Sequence, residues 1–268
     1  MIELLSENGL QALRAFVTPD TLFAFDLDGT LAPIVDNPTA AEIPETLRNG
    51  LEQLAGLATT AVITGRSRSD ALPRLGFKPR YLVGNHGSEG LPGLEDQGLH
   101  LQVLIGQWLE QLHRILPPDS WSNLFVERKS SSLSLHYRHA QDPSATHQSL
   151  MAAIARLDPP PRRVGGKFVE NLQPPLAPHK GDALLLLMEH SGCPKALFFG
   201  DDETDEDIFR LADARIFSVC IGTDRPTAAD YHLHNQHDMA QALEQLIQLV
   251  RKIRGTGQIT ARSCTTCS

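Results

Sequence analysis

The sequence predicts an α/β protein, a doubly wound parallel-sheet core into which a smaller α+β domain is inserted. Short apolar runs alternate with stretches of helical periodicity along most of the chain, the pattern of parallel strands joined by crossover helices. From about residue 101 to 171 that rhythm breaks, and two helical patterns sit beside segments of strand-like alternation. Turn-rich edges bracket this stretch, Leu91-Pro92-Gly93 through Gly98 and Gln173-Pro174-Pro175 through Pro178, and read as hinges. The expected division is a core over 1–98 and 175–254, a cap-like insert over 99–174 and a disordered tail over 255–268.

Each element has its own signal. The apolar run 21–25 reads as a strand ending in acidic residues. Pro44 opens a helix to Leu57, with Leu47, Leu51, Leu54 and Leu57 at three- and four-residue spacing, one apolar face. A strand over 60–63 is followed by a turn and a helical stretch to about Leu75, and 81–83 is a strand running into Gly84-Asn85-His86-Gly87. In the insert, helical patterns cover 101–116 and 144–157. The segments 125–129 and 132–138 alternate as antiparallel strands do. The core resumes with a helix over 180–191, strands over 196–199 and 216–221, and a last helix over roughly 239–253.

Composition narrows the function. The 268 residues are 41% hydrophobic, enough for a real core. With 24 basic and 32 acidic residues the net charge is −8, which argues against nucleic-acid or membrane-surface partners, since these need a basic face. The start of the chain lacks the features of a signal peptide, and the longest apolar run, 183–188, is far too short to span a bilayer. A cytoplasmic enzyme, with a monomer favoured, is the expectation. Cys193 and Cys220 read as buried thiols, and Cys264 and Cys267 form a lone C-x-x-C in the tail, weak evidence for zinc.

Four segments carry chemistry. In Phe25-Asp26-Leu27-Asp28-Gly29-Thr30 an apolar strand ends in two carboxylates two residues apart, which leave it on the same side. Gly29 permits a sharp turn. An Asx-type turn would be the plainer reading of a single Asp before Gly. Two crowded aspartates are costly without a cation, and a hard divalent ion such as Mg²⁺ suits them. Val62-Ile63-Thr64-Gly65-Arg66 sets a hydroxyl at a strand end before a helix, a place for a phosphate oxygen. Lys180 starts a helix, where a cation opposes the dipole and would usually be placed for a reason, although taken alone a solvated lysine is the plainer reading. Gly200-Asp201-Asp202-Glu203-Thr204-Asp205-Glu206-Asp207 again brings acids to a strand end. The helix dipole accounts for Glu206 and Asp207 but not for Asp201.

In this order the four segments resemble the haloacid dehalogenase superfamily, over roughly 20–90 and 178–225. The resemblance implies a Rossmann-like phosphatase core. Asp26 would be the nucleophile and Asp28 the general acid and base, with Thr64 and Lys180 on the phosphoryl oxygens. Mg²⁺ would lie among Asp26, the backbone carbonyl of Asp28, and Asp201, with Asp205 in or near its ligand set. The acidic motif, Gly84-Asn85-His86-Gly87-Ser88-Glu89-Gly90, Val126-Glu127-Arg128-Lys129, His136-Tyr137-Arg138 and Gly166-Lys167-Phe168-Val169-Glu170 are further similar to the trehalose-6-phosphate phosphatase family. That implies a small phosphorylated sugar as partner and substrate, its hydroxyls bound by Glu127, Lys129 and Glu170, with Arg66 and His136 as further candidates. Glu127 and Lys129 share a strand face, although apart from the resemblance a surface ion pair on an ordinary strand is the plainer reading. A phosphatase for sucrose phosphate or a mannosyl-glycerate phosphate, a phosphomutase, and a non-catalytic phosphosugar-binding module are the alternatives. A two-domain enzyme of this kind is expected to close for chemistry and open for release.

Overall fold

The computed structural model describes residues 1–35, 41–93, 97–129, 131–166 and 168–263. In chain order the elements begin with β1 (Ile2–Glu3), α1 (Glu7–Phe16), β2 (Thr21–Phe25), α2 (Glu45–Leu57), β3 (Thr60–Ile63), α3 (Arg68–Leu75) and β4 (Tyr81–Val83). Next come α4 (Gln97–Ile115), β5 (Phe125–Arg128), β6 (Leu133–His136), α5 (Pro143–Ile154), β7 (Arg162–Gly166) and β8 (Val169–Gln173). The chain finishes with α6 (Lys180–Ser191), β9 (Lys195–Gly200), α7 (Glu206–Phe209), β10 (Ile216–Ile221), β11 (Tyr231–Leu233) and α8 (Met239–Ser263). It forms two compact units, one of Met1–Pro92 with His179–Ser268 and one of Gly93–Pro178.

The first unit is built on a seven-stranded sheet in the order β1-β11-β10-β9-β2-β3-β4, every pair parallel. Its central strands are covered on both faces. All five residues of β2, all four of β3 and all six of β10 are buried, which is why they read as continuous apolar runs rather than alternations. Helix α2 turns Leu47, Leu51 and Leu54 inward, each such burial stabilising by about 1.5–3 kcal/mol. Helix α6 starts at a capping box in which His179 and Asp182 each accept the other's backbone N–H. It stops at Gly192, whose φ of 71° suits the left-handed conformation of a helix end.

The second unit has a four-stranded antiparallel sheet, β5-β6-β8-β7. Its core holds Trp108, Leu112, Leu133, Leu135, Leu150 and Leu172. Trp108 is fully buried, and its indole N–H donates to the Pro159 carbonyl at 2.7 Å, so its one polar atom is satisfied.

The α/β class and the parallel core agree with the sequence reading. Strands β1 and β11 have no counterpart in it, because two and three residues are too few to show a period. Gly166 ends β7 and Val169 begins β8, with Phe168 between them at φ 63° and Lys167 outside the described residues. Helix α8 runs to Ser263, into the stretch expected to be a tail. Cys264 and Cys267 lie outside the described residues, as do residues 94–96 of the first expected hinge. Among the described residues no helix is long and apolar enough to cross a membrane.

Candidate active site

Asp26 is the first residue after β2 and Asp201 the first after β9. The two strands are parallel neighbours with Phe25 opposite Phe199, so the aspartates leave the sheet side by side at its carboxyl edge. The Asp26 N–H donates to the Phe199 carbonyl at 2.8 Å, and the stacked rings of Phe25 and Phe199 lie just before the exit, 5.5 Å apart. Thr64 follows β3 on the other side of β2. This is the edge where open α/β sheets bind ligands.

Lys180, the first residue of α6, is buried to 1% exposure. Its ammonium donates to Asp26 Oδ1 at 2.8 Å and to Asp205 Oδ1 at 2.7 Å, with Asp202 Oδ1 at 3.8 Å. The other Asp205 oxygen accepts the backbone N–H groups of Asp201 and Asp202 at 2.8 and 3.0 Å. Asp205 therefore ties Lys180 to the turn that carries Asp201. Carboxylate oxygens of Asp26, Asp201 and Asp205 lie within 4.8 Å of one another.

These acids are poorly hydrated and close together. Burial pushes Asp26 up to about 7; the Lys180 charge pulls against it, and the charges of Asp202 and Asp201 add to the rise. Asp201 is likewise pushed up to about 7, first by burial and then by Asp205 and Asp202. Asp202 behaves oppositely. Burial alone would raise it, but Lys180 and hydrogen bonds from Thr204 and Asp205 outweigh that and bring it to about 2. Burial would also strip Lys180 of its proton, yet Asp205, Asp26 and Asp202 hold it well above the ordinary lysine value. Carboxylates that burial and mutual repulsion drive toward protonation are stabilised as anions by a cation. An all-oxygen donor set fits a hard one such as Mg²⁺.

The turn after β2 is shaped for this cluster. Gly29 has φ of 86°, and a Cβ there would fall on the Asp201 carboxylate. The Thr30 hydroxyl donates to Asp201 Oδ1 at 3.2 Å. Asp28 is gripped from outside: Arg66 Nε and Nη2 donate to its two oxygens, each at 2.6 Å. Arg66 Nη1 reaches Asp70 Oδ2 at 2.7 Å, and Arg74 Nη2 holds the other Asp70 oxygen at 2.8 Å. Arg66, expected to touch substrate, is thus occupied by carboxylates of its own unit. The Thr64 hydroxyl accepts the Arg66 N–H at 3.2 Å. The Gly84–Gly90 loop braces this turn, with the Asn85 and His86 N–H groups donating to the Arg66 and Thr64 carbonyls at 2.8 and 2.9 Å.

In the second unit Glu127 Oε2 lies 3.1 Å from His136 Nε2 and 3.8 Å from Lys129 Nζ, so three of the expected sugar-binding residues meet. Glu170 does not join them. Glu127 pairs with Ser134 and Ser134 with Asn171, whereas Glu170 pairs with Leu135, one row along. Adjacent residues of a strand leave opposite faces. Glu170 consequently points to the buried face. Its Oε1 lies 3.0 Å from His147 Nε2, and its Oε2 accepts Arg163 Nε and Nη2 at 3.2 and 3.1 Å. Of the residues expected to bind sugar, Glu170 is therefore on the face opposite Glu127, Lys129 and His136. Asn171 lies on the Glu127 face instead, its Oδ1 accepting the Ser134 hydroxyl at 2.6 Å.

Asp70, which binds Arg66, and Asn171, on the Glu127 face, stand beside these residues and were missed by sequence reasoning. Strand parity carries a signal for Asn171 once the register is known, and the four-residue spacing of Arg66, Asp70 and Arg74 carries one for Asp70.

The trehalose-phosphatase family model matches residues 24–237. A trehalose-phosphate phosphatase of Mycobacterium tuberculosis is 28% identical over 261 residues, 90% of this chain and 66% of that protein. A probable trehalose-phosphate phosphatase of Oryza sativa is 27% identical over 254 residues, 82% of this chain and 66% of that protein. The chain thus spans about two thirds of the length of these curated relatives. Among solved structures, a trehalose-6-phosphate phosphatase of Aspergillus fumigatus superposes with a TM-score of 0.66 at 26% identity, covering 92% of this chain and 99% of that one.

Proposed function

The chain belongs to the trehalose-phosphatase family, and from that membership we propose that it hydrolyses trehalose 6-phosphate to trehalose and phosphate. The observation that carries this reading is the buried Lys180–Asp26 pair at 2.8 Å, with Asp28 two residues beyond the nucleophile and Asp201 beside it. A carboxylate oxygen of Asp26 attacks phosphorus, and the bond from phosphorus to the sugar oxygen breaks. Asp28, carrying a proton on an oxygen that one prong of the Arg66 pair has released, gives that proton to the departing oxygen, which as an alkoxide would be a poor leaving group. Water then attacks the phosphorus of the aspartyl-phosphate while Asp28 takes its proton, and the Asp26 oxygen leaves. The net change is one phosphate ester bond broken and one molecule of water consumed, with Asp26 and Asp28 restored.

Thr64 and Lys180 hold the transferring oxygens, where positioning and charge account for most of the rate. Mg²⁺ would be held by the carboxylates of Asp26 and Asp201 and the Asp28 carbonyl. When bound, it supplies the positive charge that lets an anionic nucleophile meet an anionic phosphate. Asp205, with both oxygens engaged, keeps Lys180 and the Asp201 turn in place. Arg66 serves by holding Asp28 rather than by touching sugar. Glu127, Lys129 and His136 bind sugar hydroxyls, their mixed acceptors and donors suiting a polyol, and Asn171 shares their face.

The test is phosphate release from trehalose 6-phosphate, sucrose 6-phosphate and glucose 6-phosphate with Mg²⁺, beside an Asp26→Asn control. Preference for trehalose 6-phosphate that vanishes in the control supports the whole reading. Activity confined to another sugar phosphate keeps the core chemistry and removes the substrate. No release from any substrate removes the phosphatase.

A further inference from the structure

The turn after β9 packs five carboxylates, Asp201, Asp202, Glu203, Asp205 and Glu206, into six residues, and such a segment repels itself. Lys180 answers that charge on the inner side. On the outer side stands Arg225, between β10 and β11. Its Nε donates to the Asp201 carbonyl at 2.9 Å, its Nη2 to the Asp202 carbonyl at 2.7 Å and its Nη1 to Glu206 Oε1 at 2.8 Å. Glu206 is 1% exposed, and its other oxygen accepts the Ala228 N–H at 3.0 Å. One rigid guanidinium therefore fixes two successive carbonyls and anchors itself on a buried carboxylate.

The orientation of those carbonyls matters because the opposite side of the same backbone presents its N–H groups to Asp205. Arg225 on the carbonyl side and Asp205 on the amide side hold the backbone at Asp201 and Asp202 from both sides. The Asp201 carboxylate is left facing Asp26. A lysine could supply the charge but not the planar fork.

We propose that Arg225 is a positioning residue for the divalent cation, holding Asp201 in the orientation that binds it. The inference rests on the metal-dependent reading above. Groups that orient metal ligands typically contribute about 10–100-fold in metal affinity.

The experiment is titration of the purified protein with Mn²⁺, a spectroscopic substitute for Mg²⁺, followed by electron paramagnetic resonance. Wild type, Arg225→Lys, Arg225→Gln and Asp201→Asn are compared, with circular dichroism to establish that each is folded. Arg225→Gln is expected to weaken Mn²⁺ binding about tenfold or more, and Arg225→Lys by a smaller factor. Binding within twofold of wild type in the folded variants overturns the proposal. If Arg225→Gln does not fold, Arg225→Lys decides alone, by the same twofold criterion. Wild type that binds no Mn²⁺, or Asp201→Asn that binds as well as wild type, removes the metal reading itself and this inference with it.

Discussion

Arg66 and Asp28 form a two-pronged ion pair in which both carboxylate oxygens receive an N–H at 2.6 Å. Planar pairing of this kind fixes orientation as well as charge. If Asp28 protonates the sugar oxygen, it does so from a position that Arg66 sets. Arg66→Gln is expected to lower kcat for trehalose 6-phosphate by about 10–100-fold, less than the roughly 10²–10⁴-fold that general acid catalysis itself contributes, because Asp28 remains. p-Nitrophenyl phosphate, whose leaving group needs no proton, should suffer much less. Steady-state kinetics on both substrates provide the check, and equal losses would show that Arg66 does not act through Asp28.

Lys180 is a buried cation shared by Asp26 and Asp205. Removing one member of a buried ion pair leaves an uncompensated charge and costs about 3–5 kcal/mol. Lys180→Met is therefore expected to be destabilised by about that much in urea unfolding near neutral pH, besides losing turnover. A change below about 1 kcal/mol would mean that the carboxylates release their charge without Lys180.

Proton binding should compete with the metal. Asp26 and Asp201 have folded pKa values of about 7 against an ordinary 3.8. An acid raised in this way holds its proton more tightly when folded. It therefore favours folding at low pH, and that contribution fades as pH climbs from about 4 to about 7. Asp202, lowered to about 2, works in the other direction: it stabilises above about 4 and loses that as pH falls toward 2. Mg²⁺ needs ionised ligands, so binding near pH 6.5 should release about one proton or more. Calorimetry in two buffers of different ionisation enthalpy measures the number, and a value of zero would contradict the raised pKa values.

The two glutamates of the second unit should separate cleanly. Glu127→Gln is expected to raise KM for trehalose 6-phosphate, leaving p-nitrophenyl phosphate turnover and melting temperature near wild type. Glu170→Gln weakens buried contacts to Arg163 and His147, so it should lower the melting temperature, at a cost of about 1–3 kcal/mol. Asn171→Ala should behave as Glu127→Gln does. A stable Glu170→Gln protein with a selective KM defect would return Glu170 to the sugar face.

What the sequence by itself determined is which residues stand at the carboxyl edge of the core sheet. Asp26, Thr64 and Asp201 are legible because each directly follows an apolar strand, and a parallel sheet aligns the ends of such strands at one edge. Lys180 is legible only in the company of the other three segments, since a cation at a helix start opposes the dipole but taken alone reads as a solvated lysine.

Tertiary structure alone decided the rest, because it depends on which segments meet. Arg66 faces Asp28 across 38 residues and Arg225 reaches Asp201 across 24, distances over which no local pattern carries information. The side to which Glu170 points depends on a register shared by three strands, and a step of one residue exchanges the faces. The burial that pushes Asp26 up to about 7 arises only when β2, β9 and α6 enclose it. Periodicity reports what a segment would bury, and packing decides against what.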